Sequence, residues 1–494
     1  MQPRKILFLF LGPLLFFLTL AFFKPEGLPD AGRAVLACTL WIAAWWITEV
    51  IPIAVTSLLP LVLFPVSGAL DMTATAAPYG HKILFLFVGG FMLALAMERW
   101  NLHRRIALNL IAAMGTNMHQ IVLGFILATG LLSMWISNTA TTVMMLPIGL
   151  AIIGEIKSLT DQHADNLKGM KDFGKVLMLA IAYAASIGGL ATLVGTPTNL
   201  IFSGFVENEY GIEISFASWA MIGVPISLML LIIMWQHLVR RVYKLDNRPV
   251  PGAKMLIQGE LNKLGKIKYE EQWVLAIFVL VAFSWMTRKY LINPFFPAIN
   301  DTIIALSGAM TLFIIPAKSP THSTQTLLDW KTAVKLPWGV LLLFGAGFAI
   351  AAGFEASGLA LWLGQQLSLL STVPFIVMLI AIIAGVNFLT EITSNMATCT
   401  LMMPVLAKLA PAIDVHPYGL MVSATVAASC AFMLPVATAP NAVVFGSGLI
   451  EMKDMIRAGF QLNIISIVII TIVMYFLLPL VWGIDLGSFP VAIK

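Results

Sequence analysis

Charge is what this sequence has least of. Asp, Glu, Lys and Arg make up only 11% of its 494 residues, while 59% are hydrophobic and the mean hydropathy is +0.92. A soluble domain of this size needs far more charge to cover its surface, so that class is excluded. The 29 Lys and Arg exceed the 24 Asp and Glu by enough for a net charge of +5, but they sit in short clusters between apolar runs. That scatter is not the basic patch of a nucleic-acid binder. Cysteine is nearly absent. Cys38, Cys399 and Cys430 lie in apolar contexts without CxxC spacing, which argues for small packing residues rather than a redox or zinc site. Catalytic signatures are missing as well: no His has HExxH spacing, and no GxSxG occurs. An intramembrane enzyme is therefore the weaker reading.

What is present in abundance is the apolar run near twenty residues, the length that crosses a bilayer. Spanning helices are predicted near 6–23, 33–48, 52–70, 83–102, 176–206, 217–238, 273–291, 300–316, 337–357, 417–450 and 460–482. The expected fold is an all-α polytopic membrane protein with eleven transmembrane helices. MQPRK and the apolar stretch after it resemble a signal peptide, but only FFKPEG follows, so this segment reads as a retained first helix. Basic clusters orient the helices. Arg4-Lys5, the stretch Arg99 to Arg105, and the loops 157–175, 238–272 and 317–335 fall on one side, the inside. The N-terminus is then cytoplasmic and the C-terminus outside. Arg288-Lys289 is the one cluster on the wrong side.

A polar tripeptide occurs twice in apolar surroundings. Ser137-Asn138-Thr139 and Ser394-Asn395-Met396 are offset by 257 residues (394 minus 137), and Phe91/Phe348, Glu98/Glu355, Leu102/Leu359 and Pro147/Pro404 keep that offset. Two related halves follow. The helices at 83–102 and 337–357 stand five spans apart, and an odd separation inverts one half relative to the other. The segment after the first is basic, whereas 356–407 has no Lys or Arg. An inverted repeat is a common plan of secondary transporters. Residues 103–117 and 361–374 read as interfacial helices. Segments 118–156 and 375–410 then read as re-entrant hairpins carrying the Ser-Asn motifs at their tips, tolerable only where they line a cavity within the protein.

A second pair of interruptions follows the hairpins. Gly195-Thr196-Pro197-Thr198-Asn199 and Ala437-Thr438-Ala439-Pro440-Asn441 break the helices 176–206 and 417–450, at an offset of 242 (441 minus 199). Pro and Gly unwind a helix locally. Freed carbonyls suit Na+, and the half-helix N-termini suit an anion. Ser, Thr and Asn in membrane helices often serve only as interhelical glue. Two copies at matched positions, each followed by a matched break, favour a binding site instead. Glu98, Glu355 and Glu391 are acids in apolar context. The first two sit near helix ends, and Glu391 is expected to hold its own hairpin tip.

On these four motifs in this order the chain resembles the divalent anion/sodium symporter family of dicarboxylate, tricarboxylate and sulfate carriers. The resemblance implies a homodimer in a bacterial-type plasma membrane, working by an elevator mechanism, with Na+ as coupling ion and no organic cofactor. It implies a first sodium site of Ser133, Ser137, Asn138 and the Gly195 backbone, and a second of Thr390, Thr393, Asn395 and the Ala437 backbone. It places a substrate carboxylate at Asn138, Thr139 and Thr196 on one side and at Ser394, Asn395 and Thr438 on the other. The family pattern has Thr where this chain has Met396, which cannot donate a hydrogen bond. Residues 1–82 would be scaffold helices and 83–240 the first repeat. Residues 241–336 would be a cytoplasmic loop and the connecting helices of the second repeat, and 337–494 the rest of that repeat. The expected activity is Na+-coupled import of a di- or tricarboxylate anion. The alternative is a Na+-independent anion exchanger of the same fold, ahead of a sulfate carrier.

Overall fold

The computed structural model describes residues 3–160, 167–250, 252–318 and 326–490. Parts of the basic stretches 157–175 and 317–335, with His163 and His322, lie outside the described residues, as does the side chain of Arg4. Among the described residues every regular element is a helix. The first group is α1 (Pro3–Phe22), α2 (Asp30–Thr48), α3 (Ile53–Thr56), α4 (Leu59–Ser67) and α5 (Met72–Ala76). Then come α6 (Lys82–Arg99), α7 (Leu102–Met114), α8 (Met118–Ser133), α9 (Asn138–Thr160), α10 (Leu167–Gly189), α11 (Pro197–Tyr210) and α12 (Phe216–Gln236). A middle group holds α13 (Ala253–Leu264), α14 (Tyr269–Thr287), α15 (Asp301–Ile314) and α16 (Trp330–Ala333). The last group is α17 (Trp338–Ala356), α18 (Leu359–Leu367), α19 (Phe375–Leu389), α20 (Asn395–Ala412), α21 (Pro417–Ala428), α22 (Ala439–Phe445), α23 (Met452–Ile472) and α24 (Leu478–Trp482).

Among the described residues, eight helices are long and apolar enough to cross a bilayer, or nine if the pair 359–372 and 375–389, bent by 119°, counts as one. The protein is thus a polytopic membrane protein. Three of the expected spans are made of shorter pieces: 53–67, 301–314 and 417–428. The span expected at 52–70 is not one helix, because the chain breaks between α3 and α4 at Ser57-Leu58, where the Ser57 hydroxyl turns back to the Ile53 carbonyl at 2.7 Å. The basic loop 238–272 also holds a helix, α13, which Arg104 and Arg105 of α7 tie down through Glu260 and the Leu264 and Gly265 carbonyls.

The repeat is visible in the backbone. Between α6 and α7, Asn101 adopts φ 58°, and between α17 and α18, Gly358 adopts φ 75°. These positions are 257 apart, and both residue types tolerate the left-handed region. Proline starts α11 and α21, where its missing N–H costs no helical bond.

Burial grades the helices from centre to rim. In α10, 89% of the spanning window is buried, against 11% in α1 and 22% in α14. α10 is therefore the axis around which α8, α9, α12 and α22 pack. A separate apolar core joins α2 and α4 to α17 and α18 through Trp46, Phe64, Ile350 and Leu359. Arg288, the cation on the unexpected side, is buried against Glu213 at 2.7 Å and Asp301 at 3.3 Å. Its charge is neutralised locally, so it does not weigh against the orientation read from the other clusters. Cys38, Cys399 and Cys430 are buried and free.

Candidate functional site

The first Ser-Asn motif lies where α8 stops and α9 begins. Ser133 closes α8, fully buried, with its hydroxyl 2.6 Å from Asn138 Oδ1 and 2.7 Å from the Ala185 carbonyl of α10. Ser137 caps the start of α9 by accepting the Ala140 N–H at 3.2 Å. The second motif repeats the plan between α19 and α20. The Thr390 hydroxyl is 2.6 Å from Asn395 Oδ1 and 2.9 Å from the Ala428 carbonyl of α21. Thr393 is more engaged than Ser137: it donates to the Leu389 carbonyl at 2.8 Å and lies 2.6 Å from the Thr398 hydroxyl.

The helix breaks follow the same logic. After α10 ends at Gly189, Asn199 turns its Nδ2 back onto the carbonyls of Gly189 (3.2 Å), Leu190 (3.3 Å) and Thr192 (2.7 Å). After α21, Asn441 Nδ2 reaches the carbonyls of Ala431 (3.2 Å) and Leu434 (3.0 Å). The pairs Gly189/Ala431 and Thr192/Leu434 keep the 242 offset. Each break therefore keeps its shape because an asparagine pairs the carbonyls that the ended helix leaves free. That role was open to sequence reasoning, since Asn199 and Asn441 both end their break motifs, but a carbonyl partner is visible only in three dimensions. Thr196 and Thr438 precede α11 and α22 with the same φ of −142°, yet only Thr438 uses its hydroxyl as a cap, on the Asn441 N–H at 3.2 Å.

The two half-helices are exchanged. α11 packs on α20 and α21 of the second half, and α22 on α9 and α10 of the first. The Thr198 hydroxyl meets the Ser429 hydroxyl at 2.8 Å across this crossing. Exchange brings all four interruptions to one place.

Glu391 holds its hairpin tip by tying it to the chain beyond α21 rather than by contacts within the tip. Its carboxylate accepts the backbone N–H groups of Phe432 (2.7 Å), Met433 (2.9 Å) and Leu434 (3.1 Å), plus Asn463 Nδ2 of α23 (2.7 Å). These three amides lie just past the end of α21 and have no helical acceptor, whereas a carboxylate offers about four lone-pair sites. Glu98 and Glu355 diverge although they are repeat mates. Glu355 pairs with Lys408, which also binds Glu209 at 2.6 Å, and Glu98 lines the cavity described next.

A cavity of about 1040 Å³ is lined by both tips and both breaks. Of the residues expected to bind, Ser137, Asn138, Thr139, Gly195, Thr196, Thr393, Ser394, Asn395, Ala437 and Thr438 line it. Ser133 and Thr390 stand behind, reaching it through Asn138 and Asn395. Five polar lining residues were not among those expected to bind: Thr48, Glu49, Glu98, Ser186 and Lys335. With Oδ1 turned to Ser133 or Thr390, the amide nitrogens of Asn138 and Asn395 have no acceptor among the described residues. One carboxamide thus presents an oxygen on one side and two N–H donors on the other. The lining contributed by the second half includes the apolar side chains Met396, Ile392 and Val436, the last two 67% and 82% exposed. Neutral oxygens, backbone carbonyls and amide donors in one enclosure can hold a hard cation beside a carboxylate.

The sequence matches the family model described as the sodium:sulfate symporter transmembrane region over residues 5–484. It is 51% identical over 489 residues to the sodium-dependent dicarboxylate transporter SdcS of Staphylococcus saprophyticus, covering 98% of this chain and 93% of that one. It is 50% identical over 492 residues to SdcS of Staphylococcus aureus strain USA300, covering 99% and 94%. Two solved structures share the fold at 13% identity. The Neisseria gonorrhoeae MtrF structure has a TM-score of 0.57, covering 98% of this chain and 96% of that one. The Alcanivorax borkumensis YdaH transporter has a TM-score of 0.58, covering 97% and 98%.

Proposed function

The chain belongs to the sodium:sulfate symporter family, and from that premise we propose that it imports a dicarboxylate anion together with Na+. The observation that carries this reading is the meeting of two Ser-Asn tips and two helix breaks on one cavity. The names of its relatives at 50–51% identity support the choice of substrate class.

In this reading Na+ binds first. One ion takes Ser133, Ser137, Asn138 and the Gly195 carbonyl, and another takes Thr390, Thr393, Asn395 and the Ala437 carbonyl. The anion then meets the amide of Asn138 with Thr139 and Thr196 on one side, and Ser394, the amide of Asn395 and Thr438 on the other. The order follows from charge, since the tips and breaks carry no basic side chain and without the ions a dianion held there would meet only dipoles in a low-dielectric setting. Met396, Ile392 and Val436 give the second side a drier grip. Eleven spans, two re-entrant hairpins, an inverted repeat, an elevator movement within a homodimer, and the division at residues 82, 240 and 336 complete the proposal. The exchange of α11 and α22 supports it, because the two halves then move as one unit carrying the cavity. The cavity reaches Glu98 and Lys335, beside the basic stretch that begins at Arg99, which supports an inward-open state with a cytoplasmic N-terminus.

The test is uptake of labelled succinate into proteoliposomes under an imposed Na+ gradient. Saturable uptake that collapses without Na+ is expected, with Asn138→Ala and Asn395→Ala each losing at least about tenfold, near 1.4 kcal/mol. Uptake that ignores Na+ but requires internal anion would instead identify an exchanger. Competition by citrate and sulfate against succinate fixes the substrate within the class.

A further inference from the structure

We infer that the Ser186 hydroxyl is an additional oxygen of the first sodium site and that the second site has no equivalent. The inference rests on the sodium-coupled reading above. Ser186 sits in the last turn of α10, 1% exposed, and lines the cavity. Its Oγ is buried and has no hydrogen-bond partner among the described residues. A helical hydroxyl normally satisfies itself on the carbonyl four residues back. Thr39, Thr142, Ser423, Thr425 and Thr471 all do so in this protein. Ser186 does not, and neither do Thr56, Thr129, Thr141 and Thr400, but of these five only Ser186 lines the cavity, where something can bind a hydroxyl whose burial unpaired is unfavourable.

Its neighbours indicate what that is. Gly189 lies three residues on, on the same face of the helix. A Cβ at Gly189 would stand 2.6 Å from Asn138 Oδ1 and 3.1 Å from the Gly195 carbonyl. The face of α10 that carries Ser186 is therefore the face that meets two oxygens of the proposed site. The adjoining Ala185 carbonyl receives Ser133 from the same side. Among the described residues no basic side chain but Lys335 lines the cavity, and Lys335 is an exposed residue near Glu98. The unpaired oxygen joins a group of oxygens with no cationic side chain among them, the setting that a hard cation fills. At the 242 offset the second half has Ala428, which offers no side-chain oxygen. The first site should bind Na+ more tightly than the second.

Purified protein in detergent, melted against increasing NaCl with choline chloride holding the ionic strength, reports Na+ binding without substrate. Ser186→Ala and Ser186→Cys should melt like the parent in choline, showing that they are folded. Both should need about fivefold more Na+ for half of the stabilisation, as expected when a site loses a ligand. In proteoliposomes the Na+ concentration for half-maximal uptake should rise similarly, with the succinate KM at saturating Na+ unchanged. An unshifted Na+ titration in both variants overturns the inference. So does a raised succinate KM at saturating Na+ with an unshifted titration, which would assign the hydroxyl to the anion. A shift in Ser186→Ala but not in Ser186→Cys would mean that packing, not oxygen, is at work, and also overturns it. If the parent protein itself shows no Na+ titration, the sodium-coupled reading fails, which is a separate result.

Discussion

The two halves place the same oxygens and fasten them differently. In the first half α8 and α10 touch backbone to backbone: a Cβ on Gly188 would stand 2.3 Å from the Gly130 carbonyl. At the matching positions of the second half, Asn387 reaches the Cys430 carbonyl with its Nδ2 at 2.8 Å, and side chain replaces contact. The linkage from tip to break differs too. In the first half the Thr192 hydroxyl donates to the Met134 carbonyl, while in the second Glu391, standing at the position of Met134, gathers three amides. The matched positions keep the same hydroxyl, amide and carbonyl oxygens while the fastening differs. A glycine contact holds by exclusion and an acid by hydrogen bonds, so the halves should fail in different ways.

The sharpest test of that difference is Gly188→Ala. The added methyl group has only backbone to displace, so destabilisation of about 3 kcal/mol, the upper end of overpacking, is expected together with loss of uptake. Cys430→Ala, its mirror, should keep near-parental melting and uptake, and equal damage in both would break the comparison. Next, Glu391→Gln should lose about 2 kcal/mol, because one amide oxygen replaces a charged acceptor and an NH2 group faces backbone donors. Melting temperature and the Na+ dependence of uptake read the effect. Asn199→Ala and Asn441→Ala each free carbonyls at a break and should cost about 1–2 kcal/mol apiece. Equal losses would show that the clamps are equivalent even where the fastenings are not. Met396→Thr should restore a donor opposite Thr139 and lower the succinate KM severalfold, about 1 kcal/mol, with no change in melting.

The smallest effect belongs to the basic loop that follows the first repeat. The Glu260 carboxyl, outside the membrane, is held below its usual 4.5, first by the hydrogen bond from Lys263 and then by Arg104. A lowered carboxylate pKa means that its stabilisation is present above pH 4.5 and is lost as the pH falls through the depressed value. Glu260→Gln should therefore melt slightly earlier than the parent at pH 7, by less than about 1 kcal/mol, and lose that difference on acidification.

The repeat, the apolar spans and the four interruptions were legible because they rest on local chemistry: apolar length, proline, and small polar residues in a dry setting. The polar tips and breaks also named ten cavity-lining residues. What was not legible depends on partners distant in sequence. Glu391 could be recognised as an unusual acid, but its partners lie 41 to 72 residues away. Ser186 looks like any small helical residue until its missing partner is seen. The α3–α4 break has Pro60 in the first turn of α4, a local signal lost within an otherwise apolar run, and α13 was obscured by the basic residues that mark its loop. The exchange of α11 and α22 has no trace in a one-dimensional pattern at all.

One arrangement has a kinetic consequence. Ser133 brings a single proton to two acceptors, Asn138 Oδ1 and the Ala185 carbonyl. Turning the carboxamide of Asn138 over by half a rotation would complete the pairing, with Nδ2 donating to Ser133 and Ser133 to Ala185. As it stands the trio is one donor short, which the Na+ of the proposed site would supply. Loading and unloading would then be governed by the swing of one amide plane, a movement far quicker than any displacement of helices. Thr390, Asn395 and Ala428 repeat the arrangement, so in the proposed mechanism each half would carry its own fast latch.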